Sequence, residues 1–281
     1  MVGISYLIKN NIKERQDVIS FINNIFPDIE KFINIGKFEE LLANDKNLDN
    51  IIRTYTRESD LFGGSELLSS LYYNISQQFC FWLKPDDQSL RVLKSSDFSE
   101  VSVNTILNVI NSSVTMRKNR FDIVKEISES LEHYPAESIS YHLNGNCWNV
   151  DFFRKKKNLF LMCLFRYKKD LNYLWDELKK EQVKELIDTI NPAIDYQIPK
   201  MLEWYGIIKY PVNIKNKIRN GEYIIKDSED ELFIRSLSYL ALILIQEQFG
   251  YNQIELDWWL WYNRNSLNST VKHHCTLTED Y

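Results

Sequence analysis

Asp195 is the residue whose type and setting most directly suggest chemistry. It lies in the segment INPAIDYQIPKMLEWYGIIKY, residues 190–210. The spacing predicts a helix here, with Asn191 as cap and Pro192 in the first turn. Ile194, Ile198, Met201, Leu202 and Tyr205 form its apolar stripe, and Gly206 is its stop. Asp195 is then the one carboxylate in the first turn, where free backbone N–H groups and the positive helix end hold an anion ionised. Such a carboxylate suits a developing cation. The structural alternative is an ordinary helix-start residue, because Asp is common there.

Two other clusters could act on a ligand. Arg154 to Lys157 are four consecutive cations opening the apolar stretch FFRKKKNLFLMCLFRY, residues 152–167. Runs of this kind are commonly solvated corners, but lysines are also point-charge partners for phosphate. Gln78-Phe79-Cys80-Phe81-Trp82 is an aromatic cluster. It reads either as core or as a stacking surface for a flat ligand.

Helices must position these groups. Val18, Ile19, Ile22, Ile25 and Phe26 make one amphipathic stripe, Phe38, Leu41 and Leu42 a second, and Leu48, Ile51, Ile52 and Tyr55 a third. Gly63-Gly64 precedes a helical run over 65–82, and Lys84-Pro85-Asp86-Asp87 reads as a turn. Phe121, Ile123, Val124, Ile127 and Leu131 share a helix face, and residues 168–190 form a charged helical connection. Residues 213–220 read as a short basic helix stopped by Gly221. Ser228 and Glu231 form a capping-box pattern opening a helix that is apolar nearly all round from Leu237 to Ile245, as a core-crossing helix is. That apolar run is shorter than a bilayer span. The tail from about residue 265 is polar and expected to fray.

The bulk numbers narrow the function classes. The 281 residues are 44% hydrophobic and 26% charged, as in a soluble globular protein, and 14% aromatic. A net charge of −5 argues against a protein built to grip duplex DNA and favours a small-molecule substrate. Cys80, Cys147, Cys163 and Cys275 form no C-x-x-C pair and fit no zinc spacing, so free thiols in a reducing cytoplasm are expected. No secretory leader pattern opens the chain, and no metal or other cofactor is expected.

Asp195-Tyr196-Gln197-Ile198-Pro199, followed by Leu202, Gly206, Ile208 and Tyr210, resembles the ADYR(V/I)PQxLxxLGxLY signature of the queuosine salvage protein family. Three further stretches are similar to that family in the same order. Phe153 to Asn158 resembles FYKRAQxLV, with Lys155 and Lys156 on its Lys-Arg pair. Gly221-Glu222, Glu231, Ile234 and Arg235 resemble GExxxxGxxxEVEIRG, and residues 256–261 resemble LDYYLW. Residues 78–82 look like the family's NFCFW element, with Gln78 replacing Asn. The resemblance is best over 151–262. Gln197 replaces the family's Arg, Cys163 stands at an Asp position, and the central region is shorter and lacks a Gly-Ser-Phe motif.

The resemblance implies an all-α single domain over residues 1–281, similar to helix-hairpin-helix DNA glycosylases. It implies hydrolysis of the N-glycosidic bond of queuosine 5'-phosphate, or a related 7-deazapurine nucleotide or nucleoside, to release queuine. On that reading Asp195 is catalytic. Lys155 or Lys156 binds the 5'-phosphate or the departing base, Phe81, Trp82 and Tyr196 offer stacking surfaces, and Asp257 and Arg235 contact the ligand. The partner is a small nucleotide or nucleoside, with no stable nucleic-acid complex and no membrane, and the sequence leaves the oligomeric state open. The alternatives are a DNA glycosylase for damaged purines, which would need a basic face and a base-flipping pocket, and a non-catalytic nucleoside binder of the same fold.

Overall fold

Pro199 decides where the central helix begins. Inside a helix its ring would meet the carbonyl of Asp195 and leave that carbonyl without a donor. In the first turn neither problem arises, because the first N–H groups of a helix have no partner anyway. In the structure, a computed structural model describing residues 15–54, 116–133, 162, 180–267 and 271–278, the helix accordingly spans Gln197–Trp204 rather than starting at Pro192. Residues 190–195 are irregular. The expected stop holds: Gly206 has φ of 72°, and the Ile207 N–H returns to the Leu202 carbonyl at 2.9 Å.

The described residues are mainly helical, with no strand among them, as the all-α expectation requires. In chain order the helices are α1 (Arg15–Ile25), α2 (Gly36–Asn44), α3 (Leu48–Thr54), α4 (Arg117–His133), α5 (Lys180–Thr189), α6 (Gln197–Trp204), α7 (Val212–Asn220), α8 (Glu229–Phe249) and α9 (Gln253–Asn263). Short 3-10 turns cover Ile29–Phe32 and Arg264–Ser266. The expected helices over 65–82 and 152–167 and the turn at Lys84 lie outside the described residues.

The chain divides into two compact units. One comprises Met1–Tyr55, Lys84–Gln88 and Asn191–Leu277; the other comprises Thr56–Leu83, Ser89–Ile190 and Thr278–Tyr281. In the second unit, α4 buries Ile123, Val124 and Ile127 from its apolar face and leaves Phe121 exposed.

The first unit is built around α8. Ser228 caps it through its Oγ, which accepts the Glu231 N–H at 3.3 Å, and Gly250 ends it at φ of 72°. Residues 231–243 of α8 are buried all round, as its sequence predicts. With 21 residues, α8 is also long and apolar enough, by length and composition, to cross a membrane, but most of it is buried inside this fold as core. Phe233 on α8 meets Phe26 and Phe32 edge-on at 5.3 and 5.4 Å. Phe38 of α2 lies edge-on to Phe249, Tyr251 and Trp259. Trp259 of α9 stacks in turn on Tyr205 at 5.0 Å, so α9 packs against the C-terminal end of α6.

Asn252 opens α9 through a reciprocal capping box: its Oδ1 accepts the Glu255 N–H at 3.0 Å, and Glu255 accepts the Asn252 N–H at 2.8 Å. Asp257 lies inside this helix and is buried. Asn252→Ala removes one side of the box. It should lower unfolding free energy by about 1 kcal/mol in urea titrations, whereas no loss would mean that α9 is held by packing alone.

The end of the chain departs from expectation. Residues 271–278, read as part of a frayed tail, bury His273, His274, Cys275, Thr276 and Thr278. Cys275 bridges Tyr223 in parallel, and the Ile224 N–H donates to the Cys275 carbonyl at 2.9 Å. Cys275 is a free thiol, as expected, and is buried where a frayed tail would expose it.

Candidate active site

Asp195 is the cap of α6 rather than a residue of its first turn. Its Oδ1 accepts the N–H groups of Gln197 at 2.7 Å and Ile198 at 2.8 Å. These are the second and third N–H groups beyond it, the pattern of an N-cap carboxylate. Tyr196, between them, already has helical backbone angles (φ −81°, ψ −15°), so the helix effectively begins there. Both bonds end on one oxygen. Among the described residues no hydrogen bond ends on Oδ2, which leaves that oxygen for a ligand or a water.

The electrostatics of Asp195 differ from the expectation. Burial pushes its carboxyl above the ordinary value of 3.8. The N–H groups of Ile198 and Gln197, then the guanidiniums of Arg264 and Arg235, pull it back without cancelling the rise. The residue is only half-covered by its accessible surface, but protein atoms crowd the carboxyl group enough for desolvation to dominate. A carboxylate in this state is a stronger base than one in water.

Charge reaches the site from two directions. Arg264, just past α9, lies over the Trp261 ring at 3.3 Å and donates to the Trp261 carbonyl. Arg235, from α8, is buried. Its Nε donates to Glu231 at 2.9 Å and its Nη1 to the Ile194 carbonyl at 3.1 Å. Through the Ile194 carbonyl, Arg235 contacts the segment that carries Asp195. Glu231 departs from its expected box as well: its carboxylate accepts the Asp227 N–H, one residue before the cap, as well as Arg235.

Tyr196, expected to offer a stacking face, is buried, and its ring lies 4.4 Å from the His273 ring at a tilt of 42°. Gln197, at the family's Arg position, is 2% exposed, and both ends of its side-chain amide lack partners among the described residues. Burying an unsatisfied neutral amide costs less than burying an unsatisfied guanidinium. Phe81, Trp82, Lys155, Lys156 and Cys163 lie outside the described residues. Among the described residues no group of three or more His, Cys, Asp or Glu side chains could hold a metal.

Sequence reading missed His273 and His274. The only signal was the His-His pair itself, set in a polar tail. His274 is 1% exposed, and neither ring nitrogen has a partner among the described residues. Burial, reinforced by the nearby positive charge of Arg235 and by His273, holds its pKa well below the usual 6.5. The sign follows directly. Above 6.5 both native and unfolded chains carry it neutral; below 6.5 the unfolded chain takes up a proton that the native state refuses. Stability should therefore fall as pH drops from 6.5, by about 1.4 kcal/mol per pH unit, until protonation of Asp195 begins to offset it. Urea unfolding of wild type and His274→Leu across this range checks it. The variant should lose that part of the slope, and identical slopes would place the proton uptake elsewhere.

A family model described as queuosine salvage protein matches residues 170–281. Over 93 residues the chain is 32% identical to a Dictyostelium discoideum protein named queuosine 5'-phosphate N-glycosylase/hydrolase. That match spans 31% of this chain and 29% of the relative, so the chain covers under a third of the relative's length. The family match starts later than the motif resemblance and runs through the buried terminal segment. Asp195, Tyr196, Arg235 and Asp257 fall inside it, whereas Phe81, Trp82, Lys155 and Lys156 precede it. Over residues 170–281, the chain is thus similar to the queuosine salvage protein family.

Proposed function

We infer that the protein is an N-glycosidase that hydrolyses queuosine 5'-phosphate, or a related 7-deazapurine nucleotide or nucleoside, and releases queuine for salvage in the cytoplasm. The observation that carries this reading is the state of Asp195: one oxygen fixed by two backbone N–H groups, the other left open, and its basicity raised by burial. The family match over the residues that build this cap, and the printed name of the Dictyostelium relative, support it.

Cleavage of an N-glycosidic bond develops positive charge on the sugar carbon C1'. A fixed carboxylate beside it stabilises that charge. In the proposed reaction the bond between C1' and the base nitrogen breaks, and its electron pair leaves with the base. Water adds to C1', Asp195 takes the water's proton through Oδ2, and the base acquires a proton as it departs. The raised pKa of Asp195 suits both roles, since the group must be anionic at first and basic enough to accept the proton.

The test is a mass-spectrometric assay for free base after incubation with queuosine 5'-phosphate, queuosine, ordinary purine nucleotides and DNA carrying damaged purines. Queuine from the first substrate, with or without the second, supports the reading. Damaged base from DNA alone would replace it with the repair reading. Binding of the nucleotides without release would point to a non-catalytic binder, the reading that the Gln197 and Cys163 departures favour.

A further inference from the structure

The segment before Asp195 is not helical, yet it must present a carboxylate in one orientation. The structure shows what holds it. Tyr239 of α8 donates its hydroxyl to Asn191 Oδ1 at 2.8 Å, and Arg235 of α8 donates Nη1 to the Ile194 carbonyl at 3.1 Å. Arg235 and Tyr239 are four residues apart and so share a helix face. One face of α8 thus grips the segment at 191 and 194, and Asp195 itself ties the next residues to α6. Arg235 is oriented in turn by Glu231, whose backbone N–H donates to Ser228 Oγ and whose carboxylate takes the Asp227 N–H. The relay runs from the cap of α8 through Glu231 and Arg235 to the carbonyl next to Asp195.

We propose that the Glu231–Arg235 pair is a positioning device for Asp195: it fixes the peptide that aims the carboxylate and supplies a cation whose charge tunes it. The assignment rests on the reading of Asp195 as the catalytic carboxylate. A buried ion pair is weak evidence for stability, because a well-packed apolar pair generally does as well. A pair with both side chains about 5% exposed, in which Arg235 also holds a loop carbonyl, fits better with specifying a geometry. Among the described residues, the charged and titratable groups acting on Asp195 are Arg235 from α8 and Arg264 from the end of α9, beside the N–H groups opening α6. From the terminal segment come His273, packed on Tyr196, and the neutral His274, near Arg235.

The test is a carbon-13 NMR titration of the Asp195 carboxyl, assigned with Asp195→Asn, in wild type, Glu231→Gln, Arg235→Met and the double variant Glu231→Leu/Arg235→Met. The double variant removes both charges of the pair and keeps the kinetic test open if Arg235→Met alone does not fold. Loss of Arg235 should move the Asp195 titration upward by about half a pH unit or more, while Glu231→Gln, which leaves the cation unneutralised, should move it downward. Simple loosening of the fold would not give opposite shifts. If wild type releases base, kcat of the double variant should fall at least about tenfold with KM little changed, and the acid limb of its pH profile should follow the NMR shift. An Asp195 titration that does not rise in folded Arg235→Met, or does not fall in Glu231→Gln, overturns the proposal. If no substrate yields base, the functional reading fails, and the titration alone still decides the pair.

Discussion

Asp195→Asn should abolish base release, by about a thousandfold or more, without weakening the fold. Asn is as good an N-cap as Asp, and its side-chain oxygen can accept the same two N–H groups from Gln197 and Ile198. What it lacks is the anion. The stability sign is informative. The folded pKa of Asp195 is raised, so its contribution to stability is fully present below the ordinary value of 3.8 and is lost as pH rises through the folded value. At neutral pH the wild type therefore carries an ionised group that its surroundings disfavour. The amide never ionises, so Asp195→Asn should melt at the same temperature as wild type or higher, and the difference should close as the medium is acidified. Asp195→Ala should also lose activity but cost about 1 kcal/mol through the missing cap. An Asn variant that melts lower and keeps its activity would reduce Asp195 to a structural cap.

Breaking the Glu231–Arg235 pair is the largest expected stability effect. Both side chains are buried and meet at 2.9 Å. Arg235→Met should lower unfolding free energy by about 3–5 kcal/mol, because it strands the Glu231 carboxylate where water cannot reach it. Removing both charges in Glu231→Leu/Arg235→Met should recover most of that loss, since the Glu231 carboxylate is then no longer stranded. Denaturant unfolding of the two variants against wild type measures this. A double variant as unstable as the single one would mean that the hydrogen bond to the Ile194 carbonyl, rather than the charge balance, carries the energy.

Parts of this architecture were legible because one residue decides one local event. Gly206, Gly221 and Gly250 end helices with φ near 70°, and Ser228 starts α8; the sequence reading took the first, second and last of these as such signals. The apolar stripes of α1 to α4 also reach the core, each through part of its expected face. The start of α6 was misread because the stripe from Ile194 onward looks helical, while the steric demand of Pro199 overrides it. The Asn252–Glu255 box was readable from its spacing but passed over beside the tryptophans.

The candidate site was half legible. Asp195 stands out by type and position, and Arg235 by its motif. The contact of Arg235 with the Ile194 carbonyl does not show in the sequence, because the two residues lie 41 positions apart. His273 and His274 were lost in a tail that reads as polar loop. Their burial comes from pairing with residues 223 and 224, a non-local contact that no local periodicity encodes.

The two ends of the first unit meet across a long interval of chain. Tyr251 donates its hydroxyl to Asp49 at 2.5 Å, and Arg53 lies over the Tyr251 ring at 4.4 Å. These partners are 202 residues apart. At ribosomal speeds of 5–20 residues per second, roughly 10–40 s separate the synthesis of Asp49 from that of Tyr251. During that time the apolar faces of α1 to α3 have none of their α8 and α9 partners. Nascent chains stalled before α9 should therefore be sought out by chaperones that bind exposed apolar helices, and chains released after residue 277 should not.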